Sequence, residues 1–318
     1  MTRPPGALHI FSEEYGWAHR ANWRGQLGNG PPITVNGAGR RGREEGRHGT
    51  VRILLLGDSI AFGVGVADDE TFGHLLQQNA PGFEVLNFGV SGYGTDQALL
   101  QLEGQGFALQ PDVVVLNFCV ANDYFDNVLP AALYDGRTPK PYYAVEDGVL
   151  RLYGAHVKGP WLERAALFLR DRSFLFDAVS LAKSSWLDMP TAHADHVPEY
   201  WQSRENRILA QDFARAKDVT LRLVTRMDEL CRRRGVRFLV LVHPDRRCLK
   251  GDDTLLLPFR DPRLEGIEVV DLRDRYQRAG LHCSLVTFDK VGHLNPRGHA
   301  FVARVLCETL LAEGTSRF

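Results

Sequence analysis

Val51-Arg52-Ile53-Leu54-Leu55-Leu56-Gly57-Asp58-Ser59-Ile60-Ala61-Phe62-Gly63 is the stretch that decides the fold. A short apolar run stops at Gly57-Asp58-Ser59, where a strand must turn into a helix. Four more runs share its character: 84–88, ending at Gly89; 112–118, after Pro111; 236–242, ending at His243-Pro244; and 267–270. Short, β-branched runs of this kind read as strands buried on both faces, as parallel sheets require. Helical patterns lie between or after them, over 71–79, 95–107, 211–234 and 295–313. Alternating β and α elements predict a doubly wound α/β fold, a three-layer α/β/α sandwich with a five-stranded, mainly parallel sheet. Right-handed crossovers then bring the strand C-terminal ends, and the loops after them, to one rim.

Outward from this core lie two accessory regions. Residues 1–50 are rich in Gly, Pro and Arg with scattered aromatics (Phe11, Tyr15, Trp17, Trp23), and read as an N-terminal extension packed on or near the core. The interval 124–210 breaks the alternation. Its stretch 161–187 is amphipathic with a roughly helical period, which predicts a helical insertion over one edge of the sheet. The expected main domain is therefore 51–318, with the insertion inside it.

Composition narrows the classes of function. The chain has 318 residues, 44% of them hydrophobic and 24% charged, which excludes a fibrous or disordered protein. A net charge of −1 offers no field for nucleic acid. No apolar stretch approaches the 18 residues of a membrane span, and the first ten residues lack a secretory h-region. Five cysteines without C-x-x-C spacing argue against a disulfide framework or a zinc site, and fit a cytoplasmic, reducing location. No cofactor or metal is expected, and the oligomeric state is not legible.

Four expected rim loops carry chemistry. Ser59 sits at the first strand-to-helix turn, where a helix N-terminus favours developing negative charge, although alone it reads as a serine N-cap. The second loop is Asn87-Phe88-Gly89-Val90-Ser91-Gly92-Tyr93-Gly94, whose glycines let a backbone N–H approach a ligand. The third is Ala121-Asn122-Asp123, where Asn122 supplies a neutral donor. The last is Asp289-Lys290-Val291-Gly292-His293, a histidine just ahead of an apolar helix with an acid close by.

In order and wording these four segments resemble the SGNH hydrolases, also called GDSL esterases, over roughly 51–123 and 236–318. The resemblance implies a flavodoxin-like SGNH fold and a serine-dependent ester hydrolase. Ser59 would be the nucleophile, His293 the base, and Ser59 N–H, Gly92 N–H and the Asn122 side chain the oxyanion hole. Asp58 would shape the turn without joining the triad. The family places its acid three residues before the histidine, where this chain has Lys290. Asp289, four before, is the expected acid, with Asp271 or a Ser–His dyad as alternatives. The implied substrate is a small acyl ester, acetyl among them, of a carbohydrate or natural product. The same residues would serve an O-acyltransferase, and a silent binding module would keep the fold without the chemistry.

Other candidates are weaker. No G-x-S-x-G or phosphate-binding glycine loop occurs. His193-Ala194-Asp195-His196 reads as a solvated turn, His243 as strand-end packing, His299 as a helix-face residue, and Arg232-Arg233-Arg234 as cations at a helix C-terminus.

Overall fold

The computed structural model describes residues 7–42, 49–133, 136, 138–157, 199–245, 248, 251–287 and 292–312. The chain opens with two small antiparallel hairpins, β1 (His9–Ser12) with β2 (Gly16–His19) and β3 (Arg24–Gln26) with β4 (Pro32–Thr34). The central sheet follows: β5 (Val51–Leu56), β6 (Phe83–Asn87), β7 (Val113–Cys119), β10 (Arg237–His243) and β11 (Glu268–Asp271). Every pairing in it is parallel, in the order β11-β10-β7-β5-β6. These are the five strands expected from the sequence, each displaced by no more than a residue or so.

Why the strands are apolar throughout is visible in what each face meets. Leu54, Leu56, Val114, Leu116, Val240 and Val242 pack on one side against α3 (Thr95–Gln101) and the long α5 (Glu199–Arg232). Ile53, Leu55, Val113, Val115, Leu239 and Leu241 alternate to the other side. There they meet α2 (Phe72–Asn79), α6 (Leu272–Arg278) and α8 (Pro296–Ala312). Two buried faces leave no place for polar alternation. From β5 the chain first goes outward to β6 and then returns to β7 on the opposite side of β5. The sheet therefore reverses at β5, and the crevice this opens lies beyond its carboxyl end. Ser59 follows that end by three residues.

The accessory regions differ from expectation. The 95–107 pattern is α-helical through Gln101, then widens to π geometry over Leu102–Gly106. The interval after Asn122 starts with a short helix, α4 (Asp123–Asp126), and then forms a hairpin of β8 (Tyr142–Glu146) and β9 (Val149–Tyr153). Asp147 and Gly148 turn it with φ of 51° and 75°, the two left-handed residues of a type I′ turn. Tyr143, Val145 and Leu150 attach this hairpin to the core. The expected insertion helix at 161–187 and the His193/His196 pair lie outside the described residues. The helix expected over 211–234 begins earlier, at Glu199. No helix among the described residues is long and apolar enough to cross a membrane.

Candidate active site

Ser59 begins α1 (Ser59–Phe62), a single turn whose N-cap is Asp58. The Asp58 carboxylate accepts from Ile60 N–H at 2.9 Å, so it shapes the turn, as the sequence suggested. Gly57 is required just before it, because φ is 147° and a Cβ would lie 2.7 Å from the Asn117 carbonyl oxygen. Asn117 Nδ2 stands 3.4 Å from Asp58 Oδ1. Burial raises the Asp58 carboxyl above its ordinary value, opposed by Ile60 N–H, the His293 charge and the Asn122 amide.

His293 reaches this turn from the far end of the chain. Leu294 bridges to Thr287, and Asn295 N–H donates to Val286 O at 2.9 Å. The Asn295 side chain accepts from Gly298 N–H at 3.0 Å and so caps the start of α8. Held this way, His293 Nε2 lies 2.9 Å from Ser59 Oγ, hydrogen-bond distance for a nucleophile and its base. With Nδ1 carrying the ring proton, Nε2 accepts from the hydroxyl. Asp289, the expected acid, lies outside the described residues. Asp271, the alternative, is the N-cap of α6: it accepts from Arg273 N–H at 2.9 Å and pairs with the Arg273 guanidinium.

Gly92 sits in the loop after β6 with φ of 80°, in a turn closed by Tyr93 N–H to Val90 O at 3.0 Å. Gly89 lets the same loop press on α1, since a Cβ there would be 2.4 Å from Phe62 N. Asn87 joins the two, its Nδ2 donating to Ala61 O at 2.7 Å and its Oδ1 accepting from Gly89 N–H at 2.9 Å. Asn122 ends the loop after β7, half-buried, with its Nδ2 3.0 Å from Asp123 Oδ1 and 3.1 Å from Asp126 Oδ2. The topology thus brings Ser59, Gly92, Asn122 and His293 to the same rim.

Several supporting residues carry no motif. The N-terminal hairpins hold the loops from outside. Buried Arg41 donates to Phe62 O, Gly63 O and Val66 O and pairs with Asp68. Trp17 Nε1 donates to Ser91 O at 3.0 Å, Tyr93 hydroxyl donates back to Trp17 O, and Gln97 Nε2 donates to Tyr15 O. The aromatics near the N-terminus were the visible hint of this; Arg41 had none. His243 is buried at the end of β10, and burial lowers it to about 3. His299 faces the core from α8, its Nδ1 accepting from Phe72 N–H at 3.2 Å, and burial lowers it to about 3 as well. Both are packing residues. Cys119 is buried and its thiol is pushed well up by burial, which leaves it inert. No group of metal-ligating side chains occurs among the described residues.

The GDSL-like Lipase/Acylhydrolase family profile matches residues 55–301, and the chain belongs to that family of ester hydrolases. No curated protein matches it in sequence. Among solved structures, one similar chain is a two-domain esterase active on acetylated mannans. It is 12% identical with a TM-score of 0.42; the match covers 83% of this chain and 50% of that one, so this chain spans about half its length. A second is an α/β hydrolase from the metagenome of Lake Arreo, Spain, at 16% identity and TM-score 0.44, covering 86% and 100%. A third is a catalytic mutant of an acetylxylan esterase from Geobacillus stearothermophilus, at 14% identity and TM-score 0.42, covering 82% and 94%.

Proposed function

We propose that the chain hydrolyses a small acyl ester, acetyl first among them, of a carbohydrate or natural product through an acyl-enzyme on Ser59. The observation that carries the reading is the 2.9 Å contact between His293 Nε2 and Ser59 Oγ at the point where the sheet reverses. His293 takes the hydroxyl proton as Oγ attacks the ester carbonyl, then returns it to the leaving alcohol. Ser59 N–H, Gly92 N–H and the Asn122 amide face the developing oxyanion, each such donor typically worth ~10²–10³ in rate. Water, activated by the same histidine, releases the acid. Asp289 is the acid we assign to orient His293, since Asp271 is engaged in capping α6. A near-zero net charge suits an uncharged ester.

A fluorophosphonate probe with p-nitrophenyl acetate as substrate tests this. Wild type is labelled and turns over, whereas Ser59→Ala loses labelling and ~10³-fold or more of kcat. An unlabelled, inactive wild type contradicts the proposal. Asp289→Asn lowers kcat by ~10²-fold or more, while Asp271→Asn, still able to cap, stays near wild type; the reverse pattern moves the acid to Asp271.

A further inference from the structure

We propose that Asp126 is a positioning residue for Asn122, acting in its protonated form as the donor that turns the Asn122 N–H₂ toward the substrate oxygen. The inference rests on the assignment of Asn122 to the oxyanion hole given above.

A hydrogen count is the starting point. Asn122 Nδ2 carries two hydrogens, and carboxyl oxygens compete for both, Asp123 Oδ1 at 3.0 Å and Asp126 Oδ2 at 3.1 Å, with Asp58 a further acceptor beside the same amide. If both acids are acceptors, both hydrogens are taken. The amide then offers an oxyanion nothing but its own carbonyl oxygen. Rotating the amide by half a turn exchanges Oδ1 and Nδ2 in nearly the same volume. The inward Oδ1 then needs a donor, and a protonated carboxyl provides one.

Charge counting favours that donor. Asp58, Asp96, Asp123 and Asp126 are all buried around this point, and among the described residues the buried cation beside them is Lys140. Its ammonium is bonded to Asp96 and to Pro141 O. Four ionised carboxylates beside one ammonium, out of water, cost more than protonating some of them. Asp123, whose carboxyl burial and the Asp58 charge push well up, has Oδ2 fixed as an acceptor from Cys119 N–H at 3.0 Å; its proton sits on Oδ1 and leaves no second carboxylate against a turned amide. Asp126 differs: its Oδ1 is buried with no hydrogen-bond partner, so its charge has only the Asn122 hydrogen bond and the more distant Lys140 ammonium to support it among the described residues. Asp126 is faced by Lys140 from the segment before β8, by Asp96 from α3 and by Asp58 from the nucleophile turn, with Asp123 beside it on α4. Burial is the largest influence, Lys140 opposes it, and the carboxyl titrates at about 7. The loop that bears Gly92 closes over the cluster: a Cβ on Gly94 would lie 2.9 Å from Asp126 Cβ and 2.7 Å from Asn127 Oδ1.

The sign of the pH effect follows. Below the Asp126 titration its O–H donates to Asn122 Oδ1, and Nδ2 faces the substrate. Above it the carboxylate recaptures Nδ2 and the donor is lost. Activity therefore falls on the alkaline side.

The test measures kcat and KM against pH for p-nitrophenyl acetate, corrected for spontaneous hydrolysis, with the full chain. Wild type, Asp126→Ala, Asp126→Asn and Asn122→Ala are compared, each checked by thermal melting. Asp126→Ala lowers kcat ~10–10²-fold with little change in KM. Asp126→Asn, an amide that donates at every pH, recovers most of that loss and removes the alkaline limb. If Asp126→Asn keeps the wild-type alkaline limb, or Asp126→Ala keeps wild-type kcat, the proposal is overturned. Should Asp126→Ala melt out, the profile of the isosteric Asp126→Asn decides alone. Asn122→Ala separates the two readings. Full activity there removes Asn122 from the oxyanion hole; a large loss there, with Asp126 variants indifferent, overturns the role of Asp126 alone.

Discussion

The two accessory β regions are attached to the core by different physics. The N-terminal region reaches the catalytic loops with polar bonds, Trp17 of the first hairpin on Ser91 and Arg41, beyond the second, on carbonyls at and after the end of α1. The β8–β9 hairpin is held by Tyr143, Val145 and Leu150 against the core, and its outer face shows a stacked Tyr142–Tyr153 pair and a solvated Glu146–Arg151 pair. Hydrogen bonds are directional and fix where Ser59 and Gly92 point, whereas apolar packing fixes that a segment stays down. Alterations to the first region should therefore reach kcat, and alterations to the second should reach stability alone.

The largest effect expected is that of Arg41→Ala. It strips three carbonyls of their donor and Asp68 of its partner, at a cost of ~3–5 kcal/mol, read as the denaturation midpoint. Equal stability with unchanged kcat would break the comparison. Trp17→Phe keeps an aromatic ring, smaller than the buried indole, and leaves Ser91 O without its donor. It should cost ~1–3 kcal/mol and lower kcat about tenfold with KM held, since Gly92 follows Ser91.

Acid sharpens the contrast further. His19, the last residue of β2, is buried with its ring 4.4 Å from that of Phe62, and its pKa is held well below 6.5, mainly by burial, with His9 and Arg41 adding. A folded-state pKa below the unfolded one means stability is present above pH 6.5 and lost as pH falls. The slope for one such group is about 1.4 kcal/mol per pH unit. His9, His243 and His299 are depressed as well, so the share of His19 is read by difference: between pH 7 and 5 His19→Phe should lose less Tm than wild type, and an identical pH profile in both would remove this account. The smallest effect is Val145→Ala in the second hairpin, about 1 kcal/mol with kcat unchanged.

The parallel sheet was legible because burial on both faces writes itself as uninterrupted apolar runs, so β5, β6, β7, β10 and β11 fell within a residue of expectation. Ser59, Gly92, Asn122 and His293 were legible as ordered motifs, and the sheet reversal at β5 explains why they converge. The β8–β9 hairpin has a sequence signal in Asp147-Gly148, which the expectation of a helical insertion over 124–210 did not use. What could not be read was the polar scaffold. Arg41, Lys140, Asp96 and Asp126 lie in segments of ordinary polar composition, and their burial depends on chain segments far apart in sequence. Asn122, Asp123 and Asp126 share a helix start, yet nothing in that spacing tells a solvated first turn from one closed over by Lys140 and Gly94.

The claim on which the rest depends is covalent chemistry at Ser59. Rapid quenching of wild type with p-nitrophenyl acetate at its pH optimum, followed by peptide mass spectrometry, should find an acetyl group on Ser59 that decays with the turnover rate and is absent from Ser59→Ala. Turnover with no acyl group on Ser59, or an identical adduct in Ser59→Ala, would contradict the account.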